Sequence, residues 1–274
     1  MFASAGAGSI SAEVLASDWV EGFNNKARLL AGKAGGGPLG NTPHSYAGIE
    51  IAMASGFKTY WRNPGEAGGI PPEFDFSGSD NLQSATVLYP VPHRTKDKAG
   101  ENIAYKDQVI LPVAIVPQDK TKPVTLKVKA VYGVCKDICI PAEAELSATI
   151  PAEPEDAPQL AQALATVPVM SPDPQKDPVL AGWRLDTAGG KSKLVLDVSD
   201  PSGTDGDAFL FSADGLYMPM TTKISTGAKT VFEAELTEGA SLKELSGKHI
   251  SVTLAGASGQ SETIIQLPHD LGSP

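Results

Sequence analysis

Cysteine is almost missing from this chain: 274 residues contain two, Cys135 and Cys139. Two thiols are too few for a disulfide scaffold, and half of what a tetrahedral zinc site requires. The four histidines, His44, His93, His249 and His269, do not complete such a site, because they are scattered without ligand-pair spacing. Long apolar runs are also missing. The longest, such as "VILPVAIV" from Val109 to Val116, fall far short of the roughly 20 residues that span a bilayer, so the chain does not cross a membrane by itself. Basic charge is scarce: Lys and Arg number 22 against 32 Asp and Glu, a formal net charge of −10. Without clustered cations, nucleic acid and anionic membrane surfaces are excluded as partners. Two catalytic signatures fail as well. There is no GxSxG elbow for a serine hydrolase, and Gly35 to Gly37 lack the following Lys-Ser or Lys-Thr of a phosphate loop. That segment reads as a flexible loop.

What the chain has in quantity is turn chemistry. With 28 glycines, 22 prolines and only 6% aromatics, the composition favours many short strands over long helices. From Gly48 to Ile150 successive strand-like runs, "GIEIAMAS", "FKTYWR", "SATVLYP", "QVILPVAIV", "PVTLKVKAVY" and "AELSATI", are separated by Gly, Pro, Asn, Ser and Asp. Thr125, Lys127 and Lys129 alternate with Val124, Leu126, Val128 and Ala130, a half-buried antiparallel pattern. Six or seven strands of this kind suit an immunoglobulin-like sandwich. Between Pro151 and Pro178 seven prolines fall in 28 residues, enough to stop both helix and central strand. The expected organisation is therefore mostly β, with two immunoglobulin-like β-sandwich domains: residues 1–150, a Pro-rich linker over 151–178 with one helix-compatible stretch, "APQLAQALATV", and a smaller sandwich over 179–274. In the second, "AGGK" and "ADG" read as hairpin turns with Gly at positive φ. Ser11 to Leu30 has no clean period; strand and short helix are both open.

The chemistry-bearing candidates are few. Met218 and Met220 form an MxM pair of soft ligands suited to copper, although methionines beside Tyr217 and Pro219 also suit edge packing. The long stretch from Tyr60 to Phe76 gathers aromatic, Arg and acidic groups. It reads either as a binding surface or as a loop held to the sandwich by Trp61 and Phe74.

The cysteines remain. A strand before Cys135 and another after Cys139 make Lys136, Asp137 and Ile138 the loop of a hairpin, bringing the two side chains opposite each other, near disulfide reach. As a staple the bond does little, since closing a ring of about five residues removes only roughly 2 kcal/mol of unfolded-state entropy. A tight, exposed pair is instead the exchangeable type. Lys136 favours a thiolate and Asp137 opposes it. Chemistry thus favours redox use and leaves a structural disulfide open.

The run "AVYGVCKDICIPAEAELS", with "GIEIAMASGFKTYWRNPGEAGGIPPEFDF" and "AYKDQVILPV" upstream, resembles the periplasmic N-terminal domain of the DsbD thiol:disulfide interchange family, especially its ScsB branch. The resemblance covers roughly Gly48 to Ile150; beyond it the second domain is similar to the ScsB-type extension only in texture. It implies an immunoglobulin-like domain that passes electrons from a transmembrane domain and a thioredoxin-like domain to periplasmic acceptors, also thioredoxin-like. By position, Cys139 matches the sulfur that meets partners and Cys135 its resolving partner. No metal or organic cofactor is implied. It also implies export. The N-terminus lacks the basic and apolar regions of a signal, so either the protein is cytoplasmic or a signal has been removed, and the cysteine context favours a periplasmic protein.

Two features depart from the family: the cysteines are spaced CxxxC rather than more widely, and the stretch matching its aromatic cap loop, His93 to Tyr105, has no aromatic before Tyr105. Tyr60, Trp61 and Tyr105 are the substitutes available. The alternative function is a non-enzymatic binding, assembly or copper-handling module with a structural disulfide.

Overall fold

The computed structural model of the protein describes residues 15–35, 38, 44–98, 100–203, 206–225 and 229–271. Gly36 and Gly37 of the phosphate-loop reading, and the first 14 residues, lie outside them.

The first twelve strands are Leu15–Ala16 (β1), Val20–Gly22 (β2), Asn25–Ala34 (β3), His44–Met53 (β4), Lys58–Tyr60 (β5), Glu73–Asp75 (β6), Leu82–Val87 (β7), His93–Asp97 (β8), Gly100–Lys106 (β9), Gln108–Pro117 (β10), Val124–Cys135 (β11) and Cys139–Ile150 (β12). They form two sheets, ordered β1-β3-β4-β10-β7 with β2 on β3, and β12-β11-β5-β9-β8 with β6 on β11. All strand pairings are antiparallel. Leu126, Val128, Ala130, Tyr132 and Val134 of β11 meet Val109, Leu111, Val113 and Ile115 of β10 in the core. This is the period of two that strands impose, and it leaves Lys127 and Lys129 on the outer face of β11.

Of the open reading of Ser11 to Leu30, residues 11–14 lie outside the described residues, and from Leu15 to Leu30 the elements formed are strands. β3 hides its period because both its faces carry buried apolar residues: Leu29 joins the sandwich core, while Leu30 meets Leu160 and Leu164 of a helix, Pro158–Leu164 (α1). That helix falls in the helix-compatible part of the Pro-rich segment. Gly48 lets it approach closely, since a Cβ there would lie 2.5 Å from Leu160.

The remaining strands are Val179–Asp186 (β13), Ser192–Ser199 (β14), Asp207–Phe211 (β15), Thr222–Ser225 (β16), Thr230–Leu236 (β17), His249–Gly256 (β18) and Gly259–Gln266 (β19). A four-stranded sheet, β13-β14-β17-β16, faces a three-stranded one, β15-β18-β19. Leu194, Leu196 and Phe232 pack there against Leu210, Val252 and Leu254. "AGGK" does turn β13 into β14, with Gly189 and Gly190 at positive φ. "ADG" does not close a hairpin: Gly215 has positive φ, but β15 pairs with β18 and the chain crosses to the other sheet.

The two sandwiches are joined by specific polar bonds. The Arg62 guanidinium pairs with Glu262, reaches the Thr253 hydroxyl at 3.3 Å, and stacks on Phe211 at 4.4 Å. Asn63 donates to the carbonyls of Leu210 (2.8 Å) and Met218 (3.1 Å). Arg94 donates to Asp207 and Thr221, both at 2.7 Å. The chain leaving β5 is therefore committed to holding the second sandwich.

Candidate functional site

Strands β11 and β12 keep unbroken register from Val124↔Ile150 to Cys135↔Cys139. The hairpin closes through Lys136, Asp137 and Ile138, as the spacing predicts. Its last pair is a disulfide, with Cα atoms 4.1 Å apart. The two sulfurs differ sharply in environment. Cys135 is 2% exposed and packs with Tyr60 and Ala104, whereas Cys139 is exposed, beside an Ile138 that is 75% exposed.

The cause of this asymmetry is the segment after β5. Cys135 shares its side of β11 with Lys127 and Lys129, which is the outer side, so something must cover it. Tyr60 lies across that side, and residues 65–70 fold back over Tyr60. The amide of Gly133 donates to the Ile70 carbonyl at 3.1 Å. At Gly69 a Cβ would fall 2.4 Å from the Tyr60 ring, and its φ of +153° suits glycine. The cover ends at Cys139. An open cavity of about 160 Å³ remains there, lined by Tyr60, Gly68, Asp97, Ile138 and both cysteines.

The Tyr60 hydroxyl stands 3.1 Å from Cys139 Sγ. A disulfide sulfur carries no hydrogen, so the phenol is the donor. Burial, and then the charge of Asp97, push the Tyr60 phenol above its ordinary range, keeping that donor protonated at neutral pH. Asp97 itself accepts from Lys58 Nζ at 2.5 Å, and Asn102 Oδ1 accepts from the same ammonium. At the rim, Lys98 lies 3.9 Å from Asp137, and Lys136 sits over the Phe57 ring at 5.5 Å.

The His93 to Tyr105 stretch contains the paired strands β8 and β9, whose end brings Asp97 into the cavity that the two cysteines line. Of the three aromatic substitutes, Tyr60 alone touches the pair. Trp61 is in the sandwich core, and Tyr105 is also buried there, its hydroxyl donating to the Pro90 carbonyl at 2.7 Å. The Tyr60 to Phe76 stretch is occupied by packing, with Trp61 and Phe74 against the core as the second reading of it expects. Met218 and Met220 do not share an open site. They are 1% and 8% exposed and belong to different cores, so burial corrects the copper reading of this pair. Among the described residues no group of three or more His, Cys, Asp or Glu side chains is placed to hold a metal. No helix among them is long and apolar enough to cross a membrane. A larger hollow of about 290 Å³, lined by Lys127, Lys129, Glu145 and Ser147, includes neither cysteine.

Lys58 and Asp97 were not legible as site residues. "FKTYWR" marks a strand, but nothing local shows that its first polar residue registers with a cysteine 77 positions on.

Residues 41–151 match the family model described as thiol:disulfide interchange protein DsbD, N-terminal. The crystal structure of the N-terminal periplasmic domain of ScsB from Proteus mirabilis is similar with a TM-score of 0.69 at 19% identity, covering 94% of this chain and 100% of that one. At that identity the likeness is one of fold, and its coverage takes in both sandwiches. No curated protein matches the chain.

Proposed function

We propose, from the match of residues 41–151 to the DsbD N-terminal domain model, that the protein relays reducing equivalents through Cys135 and Cys139. In this reading it takes electrons in the periplasm from a membrane-linked, thioredoxin-like donor and hands them to thioredoxin-like acceptor proteins, as a protein-disulfide reductase. The likeness in fold to the ScsB N-terminal periplasmic domain, over 94% of this chain, supports that reading.

The observation that carries the proposal is the unequal burial of the two sulfurs at a hairpin tip. A partner thiolate meets Cys139 and not Cys135. It attacks Cys139 Sγ, the partner–Cys139 bond forms, the Cys135–Cys139 bond breaks, and the electron pair stays on Cys135 as thiolate. A second partner thiolate then attacks the partner sulfur of the mixed disulfide, and Cys139 leaves as thiolate. Reduction of the next acceptor runs the same sequence in reverse. Cys139 is the partner-facing sulfur and Cys135 the resolving one; neither step uses a metal or organic cofactor.

Trapping tests the roles. The Cys135→Ala variant should accumulate a mixed disulfide between Cys139 and a thioredoxin-like partner carrying one active cysteine, and Cys139→Ala should not. Equal trapping by both removes the assignment. Full function in the Cys135→Ala, Cys139→Ala double variant would favour a binding or assembly module with a structural disulfide.

A further inference from the structure

We propose that Lys58 is the electrostatic partner of the Cys135 sulfur, a buried cation placed to stabilise the thiolate that forms when the disulfide opens. The proposal deepens the exchange reading above and rests on it. Strand β5 joins β11 through one registered pair, Cys135↔Lys58. Residues directly opposite in an antiparallel pair project to the same face, with Cβ atoms roughly 4.5–5.5 Å apart. The row continues to Cys139 on one side and Lys106 on the other. Lys58 is 7% exposed and Cys135 2%. Lysine is rarely buried without a partner, and this one is fixed by Asp97 and Asn102 rather than left to solvent.

Other charged or titratable groups also face the sulfur. The cysteine loop supplies Lys136 and Asp137, β5 supplies Tyr60, and the β8–β9 hairpin supplies Asp97 and Lys106. Lys136, Asp137 and Lys106 are exposed, where water and salt screen them. Asp97 opposes Lys58 but is the more exposed member of their pair, 28% against 8% for the side chains. The cross-strand ammonium is thus the least screened charge near Cys135. When an incoming thiolate takes Cys139, the electron pair released onto Cys135 develops beside it. A stabilised thiolate is a better leaving group and a more readily reduced disulfide.

The test uses Cys139→Ser protein, in which Cys135 is the sole thiol, and follows ultraviolet thiolate absorbance against pH, with the double Cys→Ser protein as blank. Replacing Lys58 by Met should raise the Cys135 pKa by on the order of one unit, a tenfold loss of thiolate below that range. Lys58→Arg should restore it, and Asp97→Asn should lower it. A Cys135 pKa unchanged by Lys58→Met, or raised by Asp97→Asn, overturns the proposal. If Lys58→Met does not fold, Lys58→Gln, whose amide can still bond Asp97 and Asn102, gives the same comparison with the same overturning result. Failure of the relay reading is distinguishable, because an inert disulfide in otherwise unaltered protein would leave this Lys58-dependent titration intact.

Discussion

Replacing Tyr60 by Phe removes one oxygen from the site and leaves the ring that Gly69 and Cys135 pack against. In the oxidised protein the lost bond is a neutral donor to a weak sulfur acceptor, 3.1 Å long. In the reduced protein the same hydroxyl meets a Cys139 thiolate. Hydrogen bonds to charged groups contribute about 1.5–3 kcal/mol against about 0.5–1.5 for neutral pairs. The variant should therefore disfavour the thiolate by roughly 1 kcal/mol more than it disfavours the neutral thiol, whose bond to the hydroxyl is likewise of the neutral kind, or about 0.7 of a pKa unit on Cys139. The raised Tyr60 pKa fixes the range: its hydroxyl is fully present below the unfolded value of about 10 and is lost only as pH rises through the still higher folded one. The contrast between the two proteins is thus constant across neutral pH. Iodoacetamide alkylation of Cys139 against pH, in a Cys135→Ala background, measures it. An alkylation midpoint that is unchanged or lower in the Tyr60→Phe variant refutes the role given to the hydroxyl.

Three further outcomes follow from the geometry. Gly69→Ala puts a Cβ 2.4 Å from the Tyr60 ring at a φ of +153°, so residues 65–70 must lift; Cys135 should become several-fold faster to alkylate in reduced protein, and an unchanged rate contradicts the account of its cover. Glu262→Gln leaves the largely buried Arg62 guanidinium without its counter-charge and should cost about 3 kcal/mol in denaturant unfolding, whereas the Arg62→Met, Glu262→Met double variant should recover most of that. Bonds from the Thr121 hydroxyl and amide hold the Asp119 carboxyl down at about 2. A depressed folded pKa stabilises the protein above the unfolded value near 3.9 and loses that contribution as pH falls through about 2. NMR titration should show the Asp119 pKa rising in Thr121→Ala, which removes the hydroxyl bond, while the retained backbone amide of residue 121 and the Lys122 contacts keep it below the ordinary range.

The sequence exposes those parts of the fold that alternate. β11 is legible because Lys127 and Lys129 face solvent while Leu126 and Val128 face the core, and CxxxC spacing is enough to predict the three-residue hairpin. β3 is hidden by the opposite circumstance: the side that begins with Lys26 and Arg28 continues with Leu30 and Ala34 buried against α1, so no alternation of polar and apolar residues is sustained. β8 and β9 are masked by function, since Thr95, Asp97 and Asn102, polar residues of loop-like composition, bond one another and Lys58 instead of water. The site shows the same division. Both cysteines can be found by counting, but their unequal burial depends on a segment that begins 75 residues earlier at Tyr60, and Lys58 enters only through strand register. Local pattern carries local geometry; long-range pairing decides which sulfur is left exposed.

The most direct test of the relay is the reduction potential of the Cys135–Cys139 pair, measured by equilibration with glutathione. A pair that accepts and passes on electrons should lie above about −300 mV, within reach of thiol partners. A value below about −300 mV would place this bond with inert structural disulfides and contradict the account.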